Sequence, residues 1–515
     1  MRIERYRRHS PRHTQSTPLW RKISRALRAI AAFAVCALGF APPSMDAQGG
    51  TLTQPAPEIL TRTSKEKPVS CSPVLSWTKE SNAVAYELEI FSSAVPDLDP
   101  QEADARAVFR TSKVFENAVN LPLDEMRAGL SDSQPLWWRV RAIDLDGAAI
   151  SPFSRLSPLY TNPSLPRMNA PLLHPVPDRG RGSAMLFPVY SWVRPYGAEK
   201  FEVALYTEDP ERKPDAAPIA EWIAPYGEQY DDAPRTGDTT YYWRVRALDE
   251  QGTPGAWSSA SAFRLEPRHW EIAVLGDSIS HGGGHVSYGP EHLEYSWLAY
   301  LDFPAVNLSQ SGDITRLMAD RFERDVLPFS PDYLLIFCGT NDLRAGEFTI
   351  EDTIANMERL KEKCVAYGIR PIFLTLPPIN PANIERIFGE KNTDKWQERF
   401  AQFNAYLRQQ PHIDTAAAFA PYAADGDLPE WLGLDGLHED IIGKQLIAAR
   451  VNANLEAAKQ AADEFLQSQP PPQLQPQTET EPATETAASS EAEAVAESES
   501  EPEAEPEAEI ETEEP

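Results

Sequence analysis

At 515 residues the chain exceeds what one ordinary core of ~100 to 200 residues organises, and 42% hydrophobic with 10% aromatic content is enough for several cores. Its 47 prolines point to many turns and linkers between them. A formal net charge of −29 argues against nucleic acid or anionic lipid as natural partners and leaves neutral small molecules or glycans.

The charge is unevenly spread. Residues 1–47 hold nine Arg or Lys against Glu4 and Asp46, and an uncharged run rich in Ala, Phe, Val and Leu occupies 29–41. A basic stretch, a short apolar run and then small residues reads as a secretory signal over 1–47, with cleavage after Ala47 and a periplasmic or extracellular destination. The apolar run falls short of the ~20 residues that cross a bilayer, so no stable membrane span is expected. Past that cut Cys71, Cys338 and Cys364 remain, an odd number that implies no disulfide framework. A bridge between Cys338 and Cys364 and two separate buried thiols are both open.

Two collinear stretches then repeat. Ser76-Trp77, Tyr86-Glu87-Leu88-Glu89-Ile90 and Trp137-Trp138-Arg139-Val140-Arg141-Ala142 are echoed by Ser191-Trp192, Phe201-Glu202-Val203-Ala204-Leu205 and Tyr242-Trp243-Arg244-Val245-Arg246-Ala247. Apolar and polar residues alternate with period two, so each unit is expected to be a small β-sandwich with one buried and one wet face. These units resemble fibronectin type III-like modules, over 48–165 and 166–267. Trp77 and Trp192 are expected in the cores. Trp137 and Trp257 are the candidates for exposed, polysaccharide-binding aromatics, although the modules can equally be spacers.

From His269 short apolar strands alternate with amphipathic helices, the pattern of a parallel sheet covered on both faces. Strands are expected over 272–275, 305–308, 333–337 and 371–376, and helices over 314–327, 350–367, 394–409 and 439–466. In such a doubly wound α/β domain, spanning 268–467, ligands bind beyond the C-terminal ends of the strands. The segment 468–515 has fifteen Glu, no Lys or Arg and almost nothing to bury, so it is expected to be a disordered acidic tail.

Three motifs stand at the expected strand ends. Gly276-Asp277-Ser278 follows the first strand and offers a serine nucleophile. Asp435-Gly436-Leu437-His438 places a carboxylate three residues before an imidazole, a spacing that lets Asp435 orient His438 as the base for Ser278. Ser309-Gln310-Ser311-Gly312-Asp313 and Gly339-Thr340-Asn341-Asp342 supply Gly312 N–H and the Asn341 amide as anion donors beside Ser278 N–H. Each motif alone also reads as an ordinary turn or helix cap. His281 and His285 flank a glycine-rich run near Ser278 and are rival bases or metal ligands, but no Cys or acidic pair sits around them at ligand spacing.

Taken together, Ser278, Gly312, Asn341 and His438 stand in the order of the SGNH (GDSL-like) hydrolase family, and the resemblance covers about residues 270–460. It implies a flavodoxin-like fold, a Ser278–His438–Asp435 hydrolytic mechanism, an oxyanion hole of Ser278, Gly312 and Asn341, ester substrates, and neither metal nor cofactor. Asp277 and Asp342 belong to the same blocks and are expected to brace the loops. An α/β-hydrolase elbow of the Gly-x-Ser-x-Gly kind does not fit, since Ser280 stands where the second glycine belongs. The chain therefore reads as two β-sandwich modules followed by an exported serine esterase domain, acting on O-acetyl or short acyl esters of a glycan. A lipase or lysophospholipase, and an adhesion protein with an inactive hydrolase domain, are the alternatives.

Overall fold

The computed structural model describes residues 54–469 apart from 81, 95–105, 132–133, 175, 177–183 and 286, together with the paired short strands Ser44–Met45 and Thr51–Leu52. The expected signal, apart from Ser44–Met45, and the acidic tail from 470 onward lie outside the described residues.

The first repeat builds two antiparallel sheets. Strands β2 (Ala85–Phe91), β3 (Ala107–Val114), β5 (Leu136–Ile143) and β6 (Ser157–Leu159) pair in the order β3-β2-β5-β6, while β1 (Val74–Ser76) pairs with β4 (Ala118–Asn120). Trp77, Tyr86, Leu88, Ile90, Trp138 and Val140 share one buried cluster. The second repeat follows suit. Here β9 (Lys200–Tyr206), β10 (Ala220–Ala224), β12 (Tyr241–Leu248) and β13 (Ser261–Phe263) pair as β10-β9-β12-β13. Its other sheet, β11-β8-β7, joins β7 (Leu172–His174), β8 (Val189–Val193) and β11 (Glu228–Tyr230). Trp192, Phe201, Val203, Trp243 and Val245 form its cluster. Both early tryptophans are fully buried, as period-two alternation requires.

The polar half of the repeated pattern makes ion pairs. Arg139 and Arg141 meet Glu89 and Glu87 across the β2–β5 pair, and Arg246 meets Glu202 in the second unit. Their guanidinium planes also cover an aromatic ring: Arg139 and Arg141 lie 4.1 and 4.5 Å from Phe153, Arg244 and Arg246 lie 4.5 and 4.3 Å from Trp257. Trp257 is thus half-buried under two arginines, and Trp137 is half-buried too. Neither is an exposed platform.

The C-terminal region has a five-stranded parallel sheet of β14 (Ile272–Gly276), β15 (Val306–Asn307), β16 (Tyr333–Phe337), β17 (Arg370–Leu374) and β18 (His412–Ile413), ordered β15-β14-β16-β17-β18. Its central strands are continuous apolar runs because helices cover both faces. The helices are α1 (Ser278–His281), α2 (Thr315–Asp325), α3 (Thr340–Arg344), α4 (Ile350–Ala366), α5 (Pro381–Phe388), α6 (Trp396–Leu407) and α7 (Ile441–Ser468). A capping box fixes the start of α4: the Thr349 hydroxyl accepts Asp352 N–H, and the Asp352 carboxylate accepts Thr349 N–H. Among the described residues no helix is long and apolar enough to cross a membrane.

One expectation needs adjustment, and one open choice is resolved. The core of the parallel-sheet region also takes in Ala184, Leu186 and Phe187 from between β7 and β8, so the second module does more than space. Cys338 and Cys364 are free buried thiols rather than a bridge, and Cys338 Sγ lies 3.6 Å from Met357 Sδ.

Candidate active site

Strand register brings the motifs together. In β14 and β16 the pairs run from Ile272–Tyr333 to Gly276–Phe337, so both strands end level. Ser278 follows one end and Asn341 the other. On the opposite flank Gln310 N–H bonds to Gly276 C=O at 3.1 Å, which draws the 309–313 loop against the end of β14. The site therefore opens where the order of the sheet reverses.

Ser278 starts α1, with Asp277 at the N-cap accepting Ile279 N–H at 3.0 Å. From 160 residues downstream, His438 Nε2 stands 2.8 Å from Ser278 Oγ, and its Nδ1 stands 2.8 Å from Asp435 Oδ2. The other carboxylate oxygen of Asp435 accepts the backbone N–H groups of Leu437 (2.9 Å) and His438 (2.7 Å). That tight turn needs Gly436, whose φ of 77° is left-handed and where a Cβ would collide with the Asn380 carbonyl. Phe388 packs edge-on against the imidazole at 6.3 Å. Burial would raise the Asp435 carboxyl, but His438 and the two backbone donors outweigh it and hold the group below its ordinary range. Asp435 is thus an anion placed to accept Nδ1–H, which leaves the Nε2 lone pair facing the Ser278 hydroxyl.

The two donor motifs are joined. Asn341 Nδ2 donates to Asp313 C=O at 2.9 Å, beside Gly312 with its left-handed φ of 89°. Asp342 accepts Thr315 N–H at 3.0 Å and the Thr315 hydroxyl, tying the start of α2 to α3. Asp277 and Asp342 thus brace loops in the way the motifs lead one to expect.

His281 and His285 are not placed as bases for Ser278. The Nδ1 of His281 faces Ser311 and its Nε2 faces the Phe187 carbonyl, while His285 lies 4.0 Å from Asp440 and packs on Tyr288. Among the described residues no group of three His, Cys, Asp or Glu is arranged to hold a metal.

Beneath the nucleophile lies a buried ionic group that the sequence reading missed. Lys444, fully buried on α7, donates to Ile279 C=O at 2.8 Å and lies 3.4 Å from Glu439. Burial pushes Asp277 up to about 7 against the pull of Ile279 N–H, and the charges of Asp313 and Glu439 add to it. Asp440 is likewise pushed up to about 7 by burial, opposed by Leu434 N–H and reinforced by Asp435. The signal was a lysine on the apolar face of α7, among Gly443, Ile447, Ala448 and Val451.

Comparison with known proteins gives the same location. Residues 274–446 match the model of the GDSL-like Lipase/Acylhydrolase family. No curated protein sequence matches. Among solved structures, the chain is similar to a lipase/acylhydrolase from Enterococcus faecalis, with 24% identity, 36% of this chain and 96% of that one covered, and a TM-score of 0.30. It is similar also to an acetylxylan esterase from Geobacillus stearothermophilus, with 21% identity, 37% and 95% covered, and a TM-score of 0.29. A GDSL-like lipase from Bacteroides thetaiotaomicron VPI-5482 shares 20% identity over 37% of this chain and 89% of its own, with a TM-score of 0.28.

Proposed function

With a GDSL-like acylhydrolase domain at residues 274–446, an ester-bond hydrolase, as the premise, we propose that Ser278 is the nucleophile, His438 its base and Asp435 the group that orients and charges the base. The observation that carries this reading is the unbroken hydrogen-bonded line from Ser278 Oγ through the imidazole to Asp435, at 2.8 Å on each side.

His438 takes the Ser278 proton as Oγ attacks the ester carbonyl carbon, and the resulting imidazolium is stabilised by Asp435. Ser278 N–H, Gly312 N–H and the second hydrogen of the Asn341 amide hold the oxyanion. The ester C–O bond then breaks as His438 returns the proton to the leaving alkoxide. Water, deprotonated by the same imidazole, attacks the acyl-serine and releases the carboxylate and free Ser278. No step needs a metal or cofactor.

We read the substrate as an O-acetyl or short acyl ester on a glycan, the protein as exported through residues 1–47, and the two N-terminal units as fibronectin type III-like sandwiches. Support for the modules is the pair of antiparallel sheets around one tryptophan-containing cluster in each. Support for the glycan comes from an aromatic pair in the loop that carries Asp435 and His438. Tyr422 and Trp431 are 37% and 41% exposed, with rings 5.4 Å apart and nearly perpendicular, so that this loop presents aromatic surface to solvent.

Rates on p-nitrophenyl esters of increasing chain length, set beside acetate release from an acetylated polysaccharide, test this reading. Acetyl and other short esters are expected to be the fastest, together with release from the polymer. A preference for long acyl chains with no release from the polymer would favour the lipase alternative.

A further inference from the structure

Gly312 N–H is useful to an oxyanion only if it is aimed before the reaction begins, because a donor that must reorient costs part of what it stabilises. It is a glycine, in a loop after a two-residue strand at the sheet edge, and the bonds of Gln310 to Gly276 and of Asn341 to Asp313 hold the loop from the side of the strand ends. From the other side, both of its neighbours are held by residues, His281 and Arg321, that rest on one residue, Phe187, in the β7–β8 loop of the second N-terminal module.

On one side is Ser311. Its N–H and hydroxyl lie 3.2 and 2.9 Å from His281 Nδ1, while His281 Nε2 lies 2.7 Å from the Phe187 carbonyl. A carbonyl only accepts, so Nε2 carries the hydrogen and Nδ1 presents its lone pair to Ser311. On the other side is Asp313. It is bound by Arg321 at 2.7 and 2.8 Å, and the Arg321 guanidinium lies 5.3 Å from the centre of the Phe187 ring. Phe187 is itself immobilised. It is fully buried in the core of the parallel-sheet region, and the residues before it extend the sheet beyond Asn307 through Asn307 N–H to Ala184 C=O and Leu186 N–H to Asn307 C=O, both 2.9 Å. The Asn307 side chain then holds the carbonyls of Ser280 and His281, at the end of the helix that Ser278 begins.

We infer that Phe187 of the second module fixes the Gly312 loop from both sides, with His281 as a positioning residue, so that the module is a structural part of the oxyanion site. This rests on the assignment of Ser278 as nucleophile. The backbone carbonyl of Phe187 sets the tautomer of His281, and its ring backs Arg321. Without that anchor the loop keeps its sequence but loses its aim.

The test uses the full-length protein with Ser278→Ala, His281→Ala, His281→Asn and His281→Gln. His281→Ala is expected to lower kcat about 10- to 100-fold with KM little changed, the scale of a displaced donor, and to slow phosphonylation of Ser278 by a fluorophosphonate in parallel. Its thermal unfolding should stay cooperative. Asn places an amide oxygen near the Nδ1 position but cannot reach the Phe187 carbonyl, and Gln reaches Phe187 but not Ser311, so each is expected to restore only part of kcat. Wild-type kcat in His281→Ala, a change confined to KM, or full recovery by Asn, which lacks the Phe187 bond, would overturn the inference. Should His281→Ala fail to fold, the Asn and Gln pair still decides. An inactive Ser278→Ala beside an unimpaired His281→Ala would sink the module coupling alone, whereas an active Ser278→Ala would remove the esterase assignment on which it rests.

Discussion

His438 Nε2 and Ser278 Oγ, 160 residues apart in the chain, face each other at 2.8 Å, and the opposite nitrogen of the same ring is fixed by Asp435. Replacing Asp435 by Asn offers Nδ1 a hydrogen instead of a charge and favours the tautomer with Nε2–H, which cannot take the serine proton. Asp435→Asn should therefore lower kcat by about 10⁴-fold, the scale of losing the orienting carboxylate from a serine triad, while the fold persists. A kcat within about tenfold of wild type would mean that Asp435 merely caps the turn.

Asn341 bridges the strand-end loops through Asp313 and is assigned to bind charge that exists only in the transition state. Asn341→Ala should lower kcat by about 10² to 10³ and leave KM nearly unchanged. Steady-state kinetics on a soluble acetyl ester decide this. A raised KM with unaltered kcat would make Asn341 a substrate-binding residue.

The acids beneath the nucleophile predict a pH dependence of stability. Asp440 and Asp277 are each pushed up to about 7 in the folded protein from an ordinary 3.8. Between those values the folded state holds protons that the unfolded chain has released, so the contribution to stability falls as pH rises toward 7 and levels off above it. Asp440→Asn removes one such group. The difference in melting temperature between pH 5 and pH 8 should therefore shift in the mutant, with Asp440→Asn gaining relative to wild type at pH 8. Parallel melting profiles for the two proteins would show that Asp440 stays ionised throughout.

Trp431 bears on the substrate. If it supplies a stacking surface, Trp431→Ala should raise KM for an acetylated polysaccharide several-fold and leave hydrolysis of p-nitrophenyl acetate as it was. Equal losses on both substrates would place its role in the catalytic loop itself, which continues to Asp435 and His438.

Much of the catalytic half is legible in the sequence because its chemistry sits at strand ends. The runs before Ser278 and Asn341 are uninterrupted apolar strands, and the glycines that follow mark where each chain turns into the site. Helix α5 was missed although Asn380 caps it and Pro381 occupies its first position, a readable start signal. Strand β18 has two residues and leaves no period to detect. Phe187 and Lys444 were illegible as functional residues for another reason. A phenylalanine in a loop and a lysine in a helix acquire their roles only from what the fold brings against them, His281 and Arg321 in one case, Ile279 and Glu439 in the other. Trp257 misled in the opposite direction, since its position in the segment after the alternating strand does not reveal the two arginines that cover it.

The central claim, that Ser278 forms a covalent acyl intermediate with His438 as its base, is tested most directly by labelling the full-length protein with a fluorophosphonate and locating the adduct by peptide mass spectrometry. The adduct is expected on Ser278 alone, in proportion to lost ester hydrolysis, with no labelling and no turnover in Ser278→Ala. Stoichiometric labelling at another residue, such as Ser280 or Ser311, or turnover that survives in Ser278→Ala, would contradict it.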